Sequence, residues 1–125
     1  MSKIIVGWVE IPVADMERAV RFYGALFDAK FDIIEGGVRR VAILTAEAGA
    51  VGVSLNHTAN FEPGSKGLYV SFAAGNEIDA LLARAEAAGG RVTVRRGELL
   101  LPNNYFASVQ DTEGNVFGLV WAEQA

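Results

Sequence analysis

The sequence predicts an α+β fold built from two tandem βαβββ modules, and three observations support this prediction. Apolar, β-branched segments alternate with two segments of helical periodicity. The order of strands and helix in residues 1–57 recurs in residues 68–125. Residues 58–67 between them contain Asn, Pro, Ser and two Gly, which is typical of a connector. A repeated unit of this kind buries its apolar face only against its neighbour, so we expect one domain.

The first module opens with an apolar strand over residues 3–12. Asp15 is suited to cap a helix N-terminus, and the apolar residues behind it follow helical spacing. These residues are Ala19, Phe22, Tyr23 and Leu26. Three further strands are predicted over 29–35, 38–44 and 51–56, the first two joined by a tight turn at Gly36 and Gly37.

The second module repeats the pattern when Trp8 is laid on Tyr69 and Asp15 on Asn76. A strand is predicted over 68–73, and Asn76 is the expected helix cap. The helix has its apolar face at Ile78, Leu81, Leu82 and Ala85, and ends at Gly89-Gly90. The last strands are predicted over 91–96, 105–110 and 116–121, with a turn at 111–115.

Composition excludes several classes of function. The chain has 125 residues, enough for one core, and a net charge of −4 with scattered basic residues, which disfavours nucleic-acid binding. The absence of cysteine excludes disulfides, thiolate zinc sites and a cysteine nucleophile. The apolar stretch Ile4–Val9 is too short to span a membrane. We therefore expect a cytoplasmic protein with no nucleic-acid or membrane partner.

Three stretches together resemble a known family. They are Glu10–Asp15 continued by Arg18-Ala19, Phe22-Tyr23 and Leu26-Phe27; Ala80–Gly90; and Phe106-Ala107 with Asp111–Leu119. In this order and spacing the chain resembles the vicinal oxygen chelate superfamily, which includes glyoxalase I, bleomycin- and fosfomycin-resistance proteins and extradiol dioxygenases. The resemblance covers nearly the whole chain. It implies a mixed β-sheet curled around a central cavity with the helices outside, but no single reaction, because one fold hosts many activities.

Strand alternation then predicts which residues line the cavity. Uniformly apolar faces are assigned to the helices: Val9 and Ile11 in the first strand, and Leu68, Val70 and Phe72 in the first strand of the second module. The opposite faces are expected to line the cavity: Trp8, Glu10, Tyr69 and Ser71.

The resemblance also allows a test for a metal site. Metal-dependent members of the superfamily place His or Glu at four cavity positions, which correspond here to Trp8, Tyr69, Gly118 and, within one residue, Val53. None is a usual ligand, and a divalent ion needs about three or four donors. The single histidine, His57, is predicted to lie in the connector. It is interpreted either as a metal ligand or general base, or as a solvated loop residue. We expect no metal and no cofactor; an all-oxygen Mg²⁺ or Mn²⁺ site using Glu10 is the alternative.

Glu10 has two interpretations, because a carboxylate in an apolar strand must be paired, protonated or functional. Either Glu10 accepts a proton or hydrogen bond from a ligand, or it pairs with an arginine such as Arg40 or Arg95. Catalytic residues stay unassigned, with Glu10 as the candidate.

Other residues carry weaker expectations. Trp8 and Tyr69 form aromatic walls for a flat or cationic ligand, or fill space left by a lost metal site. Gly118 leaves room beside them. The pairs Arg39-Arg40 and Arg95-Arg96 are expected either to bind an anionic ligand or to be solvated charges at the edges of strands. The apolar run Leu99–Pro102 is a lid or a dimer contact, and we expect a homodimer.

The function expected from these features is a glyoxalase/bleomycin-resistance-like protein that binds a small molecule without a metal, using Trp8, Glu10, Tyr69, Ser71 and Gly118. The alternative is an enzyme, a lyase or isomerase of the glyoxalase kind, that uses Glu10 as base or an atypical metal site. A third hypothesis is an interaction or structural role, with a cavity plugged by Trp8 and Tyr69.

Overall fold

The computed structural model describes residues 6–44, 51–98 and 103–122. The elements of the first module are β1 (Trp8–Pro12), α1 (Met16–Phe27), β2 (Phe31–Gly36), β3 (Arg39–Leu44) and β4 (Gly52–Thr58). Those of the second are β5 (Ser71–Ala73), α2 (Ile78–Ala87), β6 (Arg91–Glu98), β7 (Asn104–Gln110) and β8 (Val116–Ala122). The order βαβββ therefore occurs twice, and the predicted fold class is confirmed.

The strands form two four-stranded mixed sheets of identical topology. The first has the order β1-β4-β3-β2 and the second the order β5-β8-β7-β6. In each sheet the first strand of the module runs parallel to the last, and the other pairs are antiparallel. The strands β1 and β5 consequently form one edge of their respective sheets.

The first helix begins and packs as the sequence predicts. Asp15 has extended backbone, and its carboxylate accepts a hydrogen bond from the Arg18 amide at 3.0 Å, which satisfies a donor that the helix itself leaves free. The predicted apolar positions of α1 are all buried, namely Ala19, Phe22, Tyr23 and Leu26.

The second helix starts differently. A short 3₁₀ turn over Gly75–Glu77 precedes it, so α2 begins at Ile78 and its cap position is Glu77, with no side-chain hydrogen bond. The predicted cap at Asn76 is wrong, because Asn76 lies inside the turn and lacks the extended backbone that a capping residue needs. The predicted end is confirmed: Gly89 has a φ of 99°, in the left-handed region that favours glycine.

Two further expectations about the middle of the chain are wrong. The strand β5 begins only at Ser71, and Leu68, expected on its apolar face, is 98% exposed. His57 belongs to β4 and not to the connector, since β4 continues to Thr58 and pairs His57 with Arg40 of β3. Both errors arise because strand length depends on pairing with a neighbour, which local sequence does not reveal.

The core lies between the helices and the sheets, and the two modules meet through α1. Phe22 and Tyr23 of α1 both contact the ring of Phe117 in β8. Within the described ranges, no helix is long and apolar enough to cross a membrane. The run Leu99–Pro102 lies outside the described residues, so the homodimer stays a prediction.

Candidate functional site

Each sheet has one face against the helices and one open face, and strand register identifies the residues of the open faces. In the first sheet Trp8 pairs with Gly52 and Glu10 with Ser54, so these four share the face opposite the buried Ile11. In the second sheet Ser71 pairs with Gly118, which in turn pairs with Ser108. The alternation predicted for Trp8, Glu10 and Ser71 therefore matches the observed faces.

Trp8 lies on the open face of the first sheet and is held by its own neighbours there. Its indole Nε1 donates a hydrogen bond to Ser54 Oγ at 3.0 Å. The residue is 50% exposed. A Cβ built on Gly52 would lie 2.3 Å from two carbons of the indole ring. The indole thus occupies the space that a side chain at position 52 would otherwise fill.

Tyr69 occupies the corresponding place on the second sheet. Its hydroxyl donates a hydrogen bond to Ser108 Oγ at 3.0 Å, and the residue is 53% exposed. A Cβ built on Gly118 would lie 2.8 Å from the Tyr69 ring and 2.4 Å from Ser71 Oγ. The structure therefore brings Tyr69, Ser71 and Gly118 together, in a cluster where a side chain at position 118 would have to displace Tyr69 and Ser71.

The structure does not place all five predicted residues around one hollow. A cavity of about 520 Å³ lies between the edge strands β1 and β5, under the connector. Its walls include Trp8, Glu10, Phe61, Val70, Phe72 and Val116, whereas Tyr69, Ser71 and Gly118 are not among its lining residues. The first sheet thus contributes its predicted residues, Trp8 and Glu10, to this cavity. The second sheet contributes Phe72 of β5 and Val116 of β8 in place of Ser71 and Gly118.

Glu10 pairs with an arginine, as one of its two interpretations expects, but the partner is Arg39 and neither of the two arginines named as examples. Its carboxylate lies 3.6 Å from Arg39, and both side chains are about half exposed. Arg40 instead contacts Glu17 of α1 at 2.9 Å, and Arg95 contacts a carboxylate of α2. The partner is Arg39 and not Arg40 because adjacent strand residues point to opposite faces, and Arg40 lies on the helix face.

Sequence reasoning missed Ser54 and Asn56, two buried polar residues on the open face of β4. The Asn56 Nδ2 group donates to Ser54 Oγ at 3.0 Å and to the Ser54 carbonyl oxygen at 3.3 Å. Among the described residues, the Asn56 Oδ1 atom has no hydrogen-bond partner. The signal in the sequence was the alternation of Ser54 and Asn56 with apolar Val53 and Leu55, which predicts a polar face opposite the core.

The donors present do not fit the metal site of metal-dependent superfamily members. Glu10 pairs with Ser54 in the first module, and its counterpart Ser71 pairs with Gly118 in the second. The position in β4 that corresponds to a metal ligand of the superfamily is therefore Ser54 and not the neighbouring Val53. Trp8, Ser54, Tyr69 and Gly118 do not supply the imidazole or carboxylate ligands that such sites use. In the three described segments, no cluster of three or more His, Cys, Asp or Glu residues is found.

His57 does not complete such a site. It follows Asn56 in β4, so its ring points to the opposite face of the strand. Its Nδ1 atom lies 3.1 Å from the carbonyl oxygen of Val13, in a hydrogen bond whose direction depends on the tautomer. The ring therefore lies apart from the polar pair Ser54 and Asn56.

Several polar groups that adjoin the cavity have partners within the chain. The buried Tyr23 hydroxyl donates to Asp111, and burial together with the Asp111 charge raises the pKa of Tyr23 well above its usual range. Asn115 donates from Nδ2 to the Pro12 carbonyl at 2.8 Å and accepts at Oδ1 from the Gly64 amide at 3.0 Å. These contacts connect the residues of the cavity wall to one another.

A family model identifies relatives of the chain. The model described as Glyoxalase/Bleomycin resistance protein/Dioxygenase superfamily matches residues 5–119. No protein of curated function shows significant similarity.

Solved structures with the same architecture are similar in fold. A glyoxylase/bleomycin resistance protein/dioxygenase domain from Frankia sp. EAN1pec is 20% identical, with a TM-score of 0.79 over 99% of this chain and 96% of that chain. A family enzyme from Burkholderia phytofirmans PsJN is 22% identical, with a TM-score of 0.70 over 94% and 98%. A glyoxalase I mutant from Zea mays is 20% identical, with a TM-score of 0.73 over 92% of this chain and 43% of that chain.

Proposed function

The chain belongs to the Glyoxalase/Bleomycin resistance protein/Dioxygenase superfamily, and we propose that it is a metal-independent member that binds a small molecule against Trp8. The supporting observation is the cavity of about 520 Å³ between β1 and β5, whose lining residues include the half-exposed Trp8. Pockets for small molecules commonly measure about 300–1,000 Å³ and combine apolar walls with a few polar groups. The ligand of this cavity is a flat, largely apolar molecule.

The polar residues of the cavity limit the chemistry of this ligand. Val70, Phe72 and Phe61 provide apolar surface, while Glu10 and Lys66 provide opposite charges. An aromatic molecule with one or two polar groups would match this distribution, because its rings would be desolvated and its polar groups would stay near charged partners. Tyr69, Ser71 and Gly118 form the corresponding surface on the second sheet, where we expect a second ligand contact.

Tryptophan fluorescence offers a direct test. The chain has two tryptophans, and the Trp121 ring lies tilted against the Tyr105 ring in the second sheet, with their centroids 5.4 Å apart. In a Trp121→Phe protein the emission therefore comes from Trp8 alone. A binding ligand from a screen of aromatic metabolites and antibiotics should change this emission saturably, and at a hundred times its Kd should stabilise the protein by about 2.7 kcal/mol.

The matched control is Trp8→Phe, which leaves Trp121 as the reporter. Its emission should stay unchanged when the same compounds are added, because Trp121 does not line the cavity. A screen in which no compound shifts either the Trp8 emission or the melting temperature would contradict the proposal.

An enzyme that uses Glu10 as a base is the second candidate. Glu10 lines the cavity, and the one ion pair that it makes with described residues is a long contact of 3.6 Å to Arg39. Its carboxylate oxygens are therefore available to accept a proton from a bound molecule. For any compound found to be turned over, Glu10→Gln should abolish turnover while preserving binding, whereas Glu35→Gln on the outer strand should preserve both.

A further inference from the structure

We infer that Ser54 and Asn56 form a polar subsite beneath Trp8 that accepts a hydrogen bond from an N–H or O–H group of the ligand. The inference rests on the proposed small-molecule binding and adds to it the class of ligand, namely an aromatic molecule with a hydrogen-bond donor. Phenols, anilines and N-unsubstituted indoles belong to this class.

The first argument is the unpaired acceptor of Asn56. The residue is only 1% exposed, and its Oδ1 atom has no partner in the described part of the chain. The Asn56 Nδ2 group faces the Ser54 carbonyl oxygen, which can only accept, so this amide orientation agrees with its surroundings. A buried acceptor without a partner is destabilising, and native proteins normally satisfy such groups. A donor supplied by a ligand would satisfy this one.

The second argument is the position of this acceptor beside the cavity wall. In the ladder between β1 and β4, Asn56 pairs with Pro12, and Ser54 pairs with Glu10. Pro12 and Glu10 both line the cavity, as does Trp8 on the same face of β1. The polar pair therefore lies one strand behind the cavity-lining residues of β1, on the same side of the sheet.

The third argument is the way in which Trp8 covers the pair. Ser54 Oγ accepts hydrogen bonds from both the Trp8 indole and the Asn56 amide, each at 3.0 Å. A single hydrogen bond holds the indole in this position only weakly, because the indole is half exposed to water. Rotation of Trp8 away from Gly52 would break this hydrogen bond and free Ser54 Oγ, the neighbour of Asn56 in the polar pair, so the indole acts as a cover over Ser54.

A pair of probes that differ in one donor tests the inference. Indole and 1-methylindole have nearly the same ring surface, but only indole carries an N–H group. Each is titrated into ¹⁵N-labelled wild-type protein, with the Trp8 indole N–H and the Asn56 side-chain amide signals as reporters. We expect indole to bind at least about fivefold more tightly, which corresponds to about 1 kcal/mol, and to shift both signals.

The variant Asn56→Leu removes the acceptor while keeping a similar volume. It should reduce the preference for indole to less than about twofold, whereas Asn76→Leu, a change in the exposed turn before α2, should leave the preference unchanged. The comparison of the two probes in the wild-type protein tests the inference even if Asn56→Leu does not fold.

The outcomes separate this inference from the proposed function. Equal binding of both probes at Trp8 would overturn the subsite and leave small-molecule binding intact, and it is the result expected if a buried water alone satisfies Asn56. Absence of binding by either probe at millimolar concentration would contradict both the subsite and the proposed binding of flat aromatic molecules.

Discussion

Arg18 and Glu113 form a bidentate ion pair that joins α1 to the turn between β7 and β8, with Nε–Oε2 and NH2–Oε1 distances of 2.7 and 3.0 Å. The Glu113 carboxylate has no exposed surface and also accepts hydrogen bonds from the amides of Ala14 and Asp15, at 2.9 and 2.8 Å. Burial alone would raise the pKa of Glu113, but the hydrogen bonds from Arg18, Asp15 and Ala14 outweigh it and lower the pKa from 4.5 to about 2.

Replacement of this carboxylate should weaken the contact between the two modules. Because the folded-state pKa of Glu113 lies below its unfolded value, its stabilising contribution is complete above pH 4.5 and is lost as the pH falls toward 2. We expect Glu113→Gln to lower the free energy of unfolding at pH 7 by about 2 kcal/mol, less than for a fully buried pair because Arg18 is partly solvated. Urea denaturation at several pH values measures this change.

The pH dependence provides the control for that prediction. Between pH 4.5 and 2 the variant should lose stability less steeply than the wild-type protein, whereas Glu62→Gln, an exposed carboxylate of the connector, should leave the slope unchanged. Parallel acid profiles of wild type and Glu113→Gln would contradict the assignment.

Two tyrosine hydroxyls should differ in their contribution to stability. The Tyr23 hydroxyl donates to buried Asp111, so Tyr23→Phe removes one partner of a buried charged acceptor and should cost about 1–3 kcal/mol. The Tyr69 hydroxyl donates to Ser108 from a half-exposed ring, so Tyr69→Phe should cost less than about 1 kcal/mol. Chemical denaturation of both variants measures the difference, and equal losses would be inconsistent with it.

Gly118 should tolerate no side chain while Tyr69 and Ser71 keep their positions. The added methyl of Gly118→Ala would meet Ser71 Oγ at 2.4 Å and the Tyr69 ring at 2.8 Å, so we expect a loss of about 1–3 kcal/mol through overpacking. The matched control is Gly7→Ala, where an added Cβ meets nothing within 4 Å. Thermal unfolding of both variants provides the comparison, and a neutral Gly118→Ala would show that Tyr69 moves aside freely.

Metal ions should have no effect on the stability of the protein. Trp8, Ser54, Tyr69 and Gly118 supply none of the imidazole or carboxylate donors that such sites use. We expect EDTA to leave the melting temperature unchanged, and Zn²⁺, Ni²⁺, Mn²⁺ or Mg²⁺ to leave it unchanged as well. A stoichiometric ion that raises the melting temperature, with the rise abolished by Glu10→Gln, would establish the all-oxygen alternative instead.

Local patterns in the sequence predicted both helices, but they predicted the start of only the first helix correctly. The buried face of α1 and its cap at Asp15 follow from residues within a few positions of each other, and both are confirmed. Asn76 had the same local features as Asp15 but lies in a 3₁₀ turn. Leu68 continues the alternating apolar pattern in the sequence, yet the paired residues of β5 and β8 begin at Ser71, and Leu68 is exposed.

The candidate site was predicted in part. Strand alternation placed Trp8 and Glu10 on the open face, because the side-chain period of a strand is a local property. The burial of Asn56 was not predicted, since it depends on the neighbouring strands β1 and β3 and on how their side chains cover it. The partner of Glu10 was also not predicted, because a shift of one residue in register exchanges Arg39 for Arg40.

The sequence by itself determined the order of the elements, the repeat of the two modules and the face on which most strand residues lie, since these follow from periods of 3.6 and 2 residues. Only the tertiary structure decided that Trp8 is held by Ser54 in one sheet and Tyr69 by Ser108 in the other. It also decided that the cavity opens between β1 and β5. The reason is that hydrogen bonds and cavities join residues far apart in the chain, whose relative positions depend on strand register and on packing of the modules through α1.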